Sequence, residues 1–247
     1  MWRALRRCFD SVLRSRGYEL KELGSPPRGY SACLEYAKSR GLAPRTVFDI
    51  GVGHGTPWLY DEFPDAKLVL FEPLSVFDAG LADLESRYRA DVHKVALSDA
   101  PGVAEFNFNT LFPTSSSLLD MDSRFAKFAV KVQAEHQFSK QTVKLDTLDA
   151  LNKYPPPYVL KLDVEGGEMR VLEGAQRTLK DTHFLLTEMS VMKRQAGEPD
   201  FSSMIEFLDK CGFELFDIPT LEQVSGNGQL IYLDAAFVPK NSALWPQ

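Results

Sequence analysis

The chain has 247 residues, 44% hydrophobic and 25% charged, which is enough for a full core and reads as one globular domain over 1–247. A net charge of −6 and a pI near 5.3 argue against a surface built for polyanions, so no nucleic-acid partner is expected. Cys8, Cys33 and Cys211 have neither disulfide nor metal-ligand spacing, the N-terminus lacks a signal-peptide apolar core, and no apolar run approaches the roughly 20 residues of a membrane helix. The expectation is a cytoplasmic protein with no transmembrane segment and no metal centre.

Residues 1–44 read as a helical segment. Trp2, Leu5, Phe9, Val12 and Leu13 recur at helical spacing beside Arg3, Arg6, Arg7, Arg14 and Arg16, giving an amphipathic helix with a basic face. Such a helix either packs on the domain with its arginines solvated or meets a membrane surface, and its shortness favours packing. A turn at 25–29 and a helix over 30–40 follow. From residue 46 the period changes. The apolar, β-branched run Thr46-Val-Phe-Asp-Ile50 predicts a strand buried on both faces, Lys67-Leu-Val-Leu-Phe-Glu72 a second, and 92–97 a third, with helices over 57–63 and along Phe77, Leu81, Leu84 and Tyr88. Alternation over 103–108 predicts a hairpin arm. Residues of about 110–141 have no clean period and form an insertion holding one helix near 125–132; long irregular stretches of this kind are commonly lids or pockets. Tyr158-Val-Leu-Lys-Leu-Asp163 is a further strand, followed by a helix through Glu168, Leu172, Ala175 and Leu179. A strand over 183–188, a helix near 201–208 and an antiparallel pair, 213–218 and 230–238, close the 45–240 core. Alternating strands and helices imply an α/β, doubly wound, mostly parallel sheet.

In such a sheet the ligand crevice lies beyond the carboxyl ends of the strands. The first strand runs into Asp49-Ile-Gly51-Val-Gly53-His-Gly55, where glycines bring the backbone close to a ligand. The spacing is G-x-G-x-G and not the G-x-G-x-x-G that seats a pyrophosphate. Glu72, at the tip of the second strand, is placed to accept ribose hydroxyls. An adenosyl ligand without phosphates, S-adenosyl-L-methionine, satisfies both features, with Asp49 toward its cationic end; a tight turn beside an incidental Glu is the plainer alternative. Ser98 and Asp99, after the third strand, are candidate acceptors for an adenine amino group, although Asp99 also suits a turn cap.

The stretch Lys161-Leu-Asp-Val-Glu-Gly-Gly-Glu168 places Asp163 and Glu165 at a strand tip and Glu168 in a first helical turn, where the helix dipole alone would favour it. Taken in order, Asp49-Ile-Gly-Val-Gly-His-Gly, Phe71-Glu-Pro73, Ser116-Ser-Leu118, Leu145-Asp-Thr-Leu-Asp149, the K-x-D-V-E-G-x-E element with Leu172-Glu-Gly-Ala175, and Glu188 resemble the FkbM-type methyltransferases over roughly 45–190. The loop departs from that pattern at Val52 and His54, where such proteins commonly carry alanine and asparagine. The resemblance implies a class I, Rossmann-like methyltransferase fold with a seven-stranded, mostly parallel sheet and an antiparallel C-terminal strand. It also implies O-methyl transfer from S-adenosyl-L-methionine to a small acceptor such as a sugar or secondary metabolite. On that reading Asp49, Gly51, Gly53, Gly55, Glu72, Ser98 and Asp99 bind the cofactor. Asp163 is the first candidate for the base that takes or shares the acceptor proton, with Glu165 second and Glu188 assisting. Asp163, Glu165 and Glu188 would alternatively form an oxygen-rich Mg²⁺ site. Two other functions stay open at this point: a non-catalytic adenosylmethionine-binding or interaction module, and an NAD-dependent oxidoreductase. The latter calls for glycine after Gly55, where Thr56 stands.

Overall fold

The computed structural model describes Leu13 and residues 29–131, 137–223 and 228–245. The expected N-terminal amphipathic helix lies, apart from Leu13, outside them. Among the described residues ten strands form two sheets. The larger contains β1 (Thr46–Ile50), β2 (Lys67–Phe71), β3 (Asp91–His93), β7 (Tyr158–Leu162), β8 (Thr182–Ser190), β9 (Phe213–Gln223) and β10 (Leu230–Pro239), in the order β3-β2-β1-β7-β8-β10-β9. The first five are parallel, and β10 runs antiparallel to both β8 and β9. The smaller sheet has the order β4-β6-β5, from β4 (Ala96–Leu97), β5 (Gly102–Asn109) and β6 (Phe138–Asp146).

The continuous apolar runs of β1 and β7 are explained by burial on both faces. Val47 and Val159 pack with Leu34, Leu68 and Leu70 on one side, while Phe48, Ile50, Leu160 and Leu162 pack with Val69, Phe71, Val171 and Leu172 on the other. Helix α1 (Tyr30–Ser39) covers the first face through Cys33, Leu34 and Ala37; α2 (Pro57–Tyr60) and α3 (Asp78–Tyr88) add Leu59, Leu81 and Leu84. Helix α6 (Glu168–Glu173) and α7 (Phe201–Lys210) cover the second through Val171, Leu172, Met204 and Leu208. Each of these fully buried aliphatic or aromatic side chains stabilises the fold by roughly 1.5–3 kcal/mol relative to exposure. Helix α4 (Ser123–Lys131) follows the small sheet's first arm, and α5 (Leu148–Leu151) links β6 to β7, capped by the Thr147 hydroxyl.

Three expectations need correction. The run 92–97 is not one strand: β3 ends at His93, and β4 begins at Ala96 in the other sheet. The irregular insertion is shorter than expected, because 138–145 pairs antiparallel with β5. β6 was missed because its alternating side chains are mostly polar or exposed, which leaves little apolar period. The helix expected through Leu179 also stops early, at Gly174. Among the described residues no helix is long and apolar enough to cross a membrane.

Candidate active site

β1 and β7 leave the sheet side by side, and their loops cross in contact. Gly51 has φ +80°, and a Cβ there would lie 1.8 Å from the Asp163 carbonyl oxygen, so only glycine fits the crossing. Beyond it a cleft of about 720 Å³, measured to its open mouth, runs along the strand ends. Gly51 and Gly53 form its floor. Glu72, Leu74 and Phe77 line one wall, Val95 and Leu97 a second, and Asp163 and Glu165 its far end. Pro113, Thr114, Ser116 and Leu118, from the segment after β5, roof it. That part of the insertion therefore covers the cleft itself.

The roof is self-supporting. Asn109 accepts the amides of Leu111 and Phe112 on its side-chain oxygen, and the Ser116 hydroxyl accepts the Asn109 amide while donating to the Pro113 carbonyl. Ser117 donates to the Glu165 carbonyl at 2.7 Å, which ties the roof to the loop after β7.

Glu72 is buried, with one oxygen accepting the Gly53 amide at 3.0 Å and the other the Leu74 amide at 2.9 Å. Burial raises its pKa, against the pull of those two amides. Each carboxylate oxygen still has a lone pair for a hydroxyl. Asp163 is half-exposed, and its Oδ2 lies 3.3 Å from the Lys161 ammonium. Lys161 is itself buried, 3.2 Å from Asp49 Oδ1, and it donates to the Gly51 carbonyl at 3.0 Å. Burial alone would lower its pKa, but Asp163 and Asp49 outweigh that and hold it above the usual value. Asp49 faces Lys161 directly across the β1–β7 pair, and its Oδ2 accepts the hydroxyls of Thr56 and Tyr60. It stands behind the cleft floor and does not line it.

Glu165 has φ +55°, which turns its side chain inward. The Arg194 guanidinium lies 3.0 Å from Glu165 and also binds Glu188, while its carbon sits 4.6 Å from the centroid of the Tyr232 ring. Burial drives Glu165 up to about 7, with Arg194 opposing, and raises Glu188 as well. Glu168 is driven by burial to about 7; its Oε1 accepts the Val164 and Gly166 amides. Glu188 lines a separate, smaller recess with Glu168 and Glu198.

Of the ten residues expected in the site, the cleft brings together Gly51, Gly53, Glu72, Asp163 and Glu165. Asp49, Gly55 and Glu188 support it from behind or beside. Ser98 is buried away from it, donating to Asp99 at 2.8 Å, and Asp99 is exposed; the wall they were expected to form is made instead by Val95 and Leu97. The space between Glu165 and Glu188, read as an alternative cation site, holds Arg194, and among the described residues no three His, Cys, Asp or Glu side chains converge on a metal position. Sequence reasoning passed over Lys161 and Arg194. Lys161 had a usable signal, since a lysine inside a strand buried on both faces must find a partner. Arg194 lies in a loop and had none.

The residues fit an adenosyl nucleoside: a carboxylate for ribose, apolar Leu74, Phe77, Val95 and Leu97 for a base, and a glycine floor for close backbone approach. The strand order, with β10 alone running against its neighbours, the glycine loop after β1 and the acidic tip of β2 match the layout of a class I methyltransferase fold. A family model described as the methyltransferase FkbM domain matches residues 49–215. A 59-residue stretch is 36% identical to the hexuronic acid methyltransferase AglP of Haloferax volcanii, spanning 24% of this chain and 25% of that relative, so the chain covers only a quarter of the curated protein it matches. Among solved structures, the 1,6-didemethyltoxoflavin-N1-methyltransferase of Burkholderia thailandensis is 12% identical, with 96% of this chain and 88% of that one covered at a TM-score of 0.43. The precorrin-6y C5,15-methyltransferase of Geobacter metallireducens GS-15 is 11% identical, with 85% and 87% covered and a TM-score of 0.41. The chain belongs to the FkbM methyltransferase family.

Proposed function

We propose that this methyltransferase acts on a hydroxyl oxygen of a small acceptor of the sugar or secondary-metabolite class. Bound S-adenosyl-L-methionine supplies an electrophilic methyl group on a sulfonium. The chain's own work is then to hold the nucleoside through Glu72 and the glycine floor, to exclude water beneath the 113–118 roof, and to receive the acceptor proton on Asp163. Lys161 takes Oδ2 of that carboxylate and leaves Oδ1 for the proton. Held by Glu72 and the glycine floor, the cofactor would supply the methyl group, and the acceptor hydroxyl's proton would pass to Asp163 and then to solvent at this half-exposed side chain.

One observation carries the reading: two carboxylates, Glu72 and Asp163, stand apart on the lining of a single apolar cleft, one buried and held by amides, the other half-exposed. The first suits a nucleoside, the second an incoming acceptor. The net charge of −6 favours a small acceptor over nucleic acid. The Haloferax volcanii relative, named for a hexuronic acid, supports a sugar.

Calorimetric titration with S-adenosyl-L-methionine, S-adenosylhomocysteine and NAD, followed by a labelled-methyl screen of sugars and metabolites, tests the proposal. Asp163→Asn is expected to bind S-adenosylhomocysteine normally and to lose about 100-fold or more in kcat. Full turnover in that variant removes Asp163 from proton transfer, and binding of NAD without S-adenosyl-L-methionine ends the nucleoside assignment.

A further inference from the structure

The strand ends carry more than the cofactor cleft uses. Asp49 lies opposite Lys161 across β1–β7, Glu188 opposite Asp234 across β8–β10, and Asp234 opposite Thr220 across β10–β9. With two-residue alternation, these side chains and Asp163 form one polar row on a single face of the sheet. Asp163 is the member that opens into the cleft, so an acceptor reaching it lies along the part of the row that continues past β7.

That part has a definite chemistry. Asp234 Oδ2 accepts the hydroxyls of Tyr30 and Thr220, and among the described residues its Oδ1 carries no hydrogen bond. Tyr30 stacks on Trp58 with ring centroids 4.0 Å apart and an interplanar angle of 14°, and both rings are half-buried. Asp163 is near enough for its charge to act on both Tyr30 and Asp234. Stacked aromatic surface suits the C–H face of a sugar ring, and free carboxylate oxygens suit its hydroxyls.

The charge is lopsided. Asp49, Asp163 and Asp234 face one cation among the described residues, Lys161, already shared between Asp49 and Asp163, while Arg194 is taken up by Glu165 and Glu188. Among the described residues an incoming carboxylate would meet no cation on this row that is not already shared, and it would add a like charge where water screens poorly.

Resting on the proposed function, we infer that the acceptor presents a neutral or amino-bearing polyol ring to Tyr30, Trp58 and Asp234, and not a free carboxylate. This departs from the hexuronic acid after which the Haloferax volcanii relative is named.

The test is labelled-methyl transfer to three probes: methyl α-D-glucopyranoside, D-glucosamine and D-glucuronic acid. Label is expected in one or both of the first two, with kcat/KM for glucuronic acid lower by about tenfold or more. Equal or better use of glucuronic acid overturns the inference and leaves the methyltransferase assignment standing. Label in none of the three sinks the sugar reading itself, and this inference with it. Trp58→Ala should raise the sugar KM about tenfold while the Kd for S-adenosylhomocysteine stays put; an unchanged KM removes Trp58 from the subsite. Asp234→Asn should narrow the gap between glucuronic acid and the neutral sugar, and an unchanged gap in a folded variant refutes the role given to Asp234. Should that variant fail to fold, the wild-type probe series still decides the outcome.

Discussion

Glu168 offers a stability test that needs no substrate. Its carboxyl is buried at the start of α6, and one oxygen, Oε1, takes the amides of Val164 and Gly166 at 3.0 and 3.2 Å. Burial carries its pKa from 4.5 to about 7. The folded state thus holds a proton that the unfolded chain releases earlier. Its contribution is complete below the unfolded value and is lost as pH climbs through about 7. At 1.36 kcal/mol per pKa unit, the difference amounts to about 3 kcal/mol between acid and mildly alkaline solution. For a chain of this length that is roughly 6–12 °C in Tm. Glutamine can accept both amides through its own oxygen and has no charge to bury. Glu168→Gln should therefore match the wild type near pH 5 and exceed it by about 3 kcal/mol near pH 8, as read by urea unfolding at each pH. A variant that loses stability with pH as steeply as the wild type would refute the reasoning. The Glu165 and Glu188 carboxyls, also raised by burial, should leave a residual slope in both proteins.

Glu72→Ala should weaken S-adenosylhomocysteine binding by at least about tenfold, since a charge-assisted contact and the anchor of the Gly53 amide both go; calorimetry with an intact melting transition checks it, and unchanged affinity removes Glu72 from the nucleoside site. Arg194→Met strands Glu165 and Glu188 without their cation and should cost about 3–5 kcal/mol, with much of the loss recovered by adding Glu188→Gln. Denaturant midpoints of the single and double variants decide that point, and a silent single variant would contradict the pairing.

Much of this is readable in the amino-acid sequence. β1, β2, β7 and β8 announce themselves because each is buried enough to be a nearly unbroken apolar run, and the glycine loop follows from where β1 stops. Glu72 and Asp163 were legible for the same reason: a carboxylate ending a buried strand has one place to go. What failed depended on contacts between distant segments. Asp49 was expected to face the ligand, but Lys161 opposite it on β7 draws it behind the cleft floor, and nothing local to either strand fixes that pairing. Ser98 was expected at the adenine, yet the chain between His93 and Ala96 changes sheets, and in its new course Val95, Ala96 and Leu97 line the cleft while Ser98 is buried beside Asp99. β6 was hidden by its polar surface, and Arg194 by standing in a loop whose partners lie on two different strands.

That change of sheets has a practical consequence. Because β3 and β4 belong to different sheets with only Lys94 and Val95 between them, and Val95, Ala96 and Leu97 all line the cleft, the small sheet is no appendage to be trimmed. A minimal scaffold cut from the seven-stranded core would lose a wall and the ceiling of its binding chamber together. Any graft of a new acceptor preference onto this scaffold has to keep the β4–β6–β5 unit and work from the β10 side.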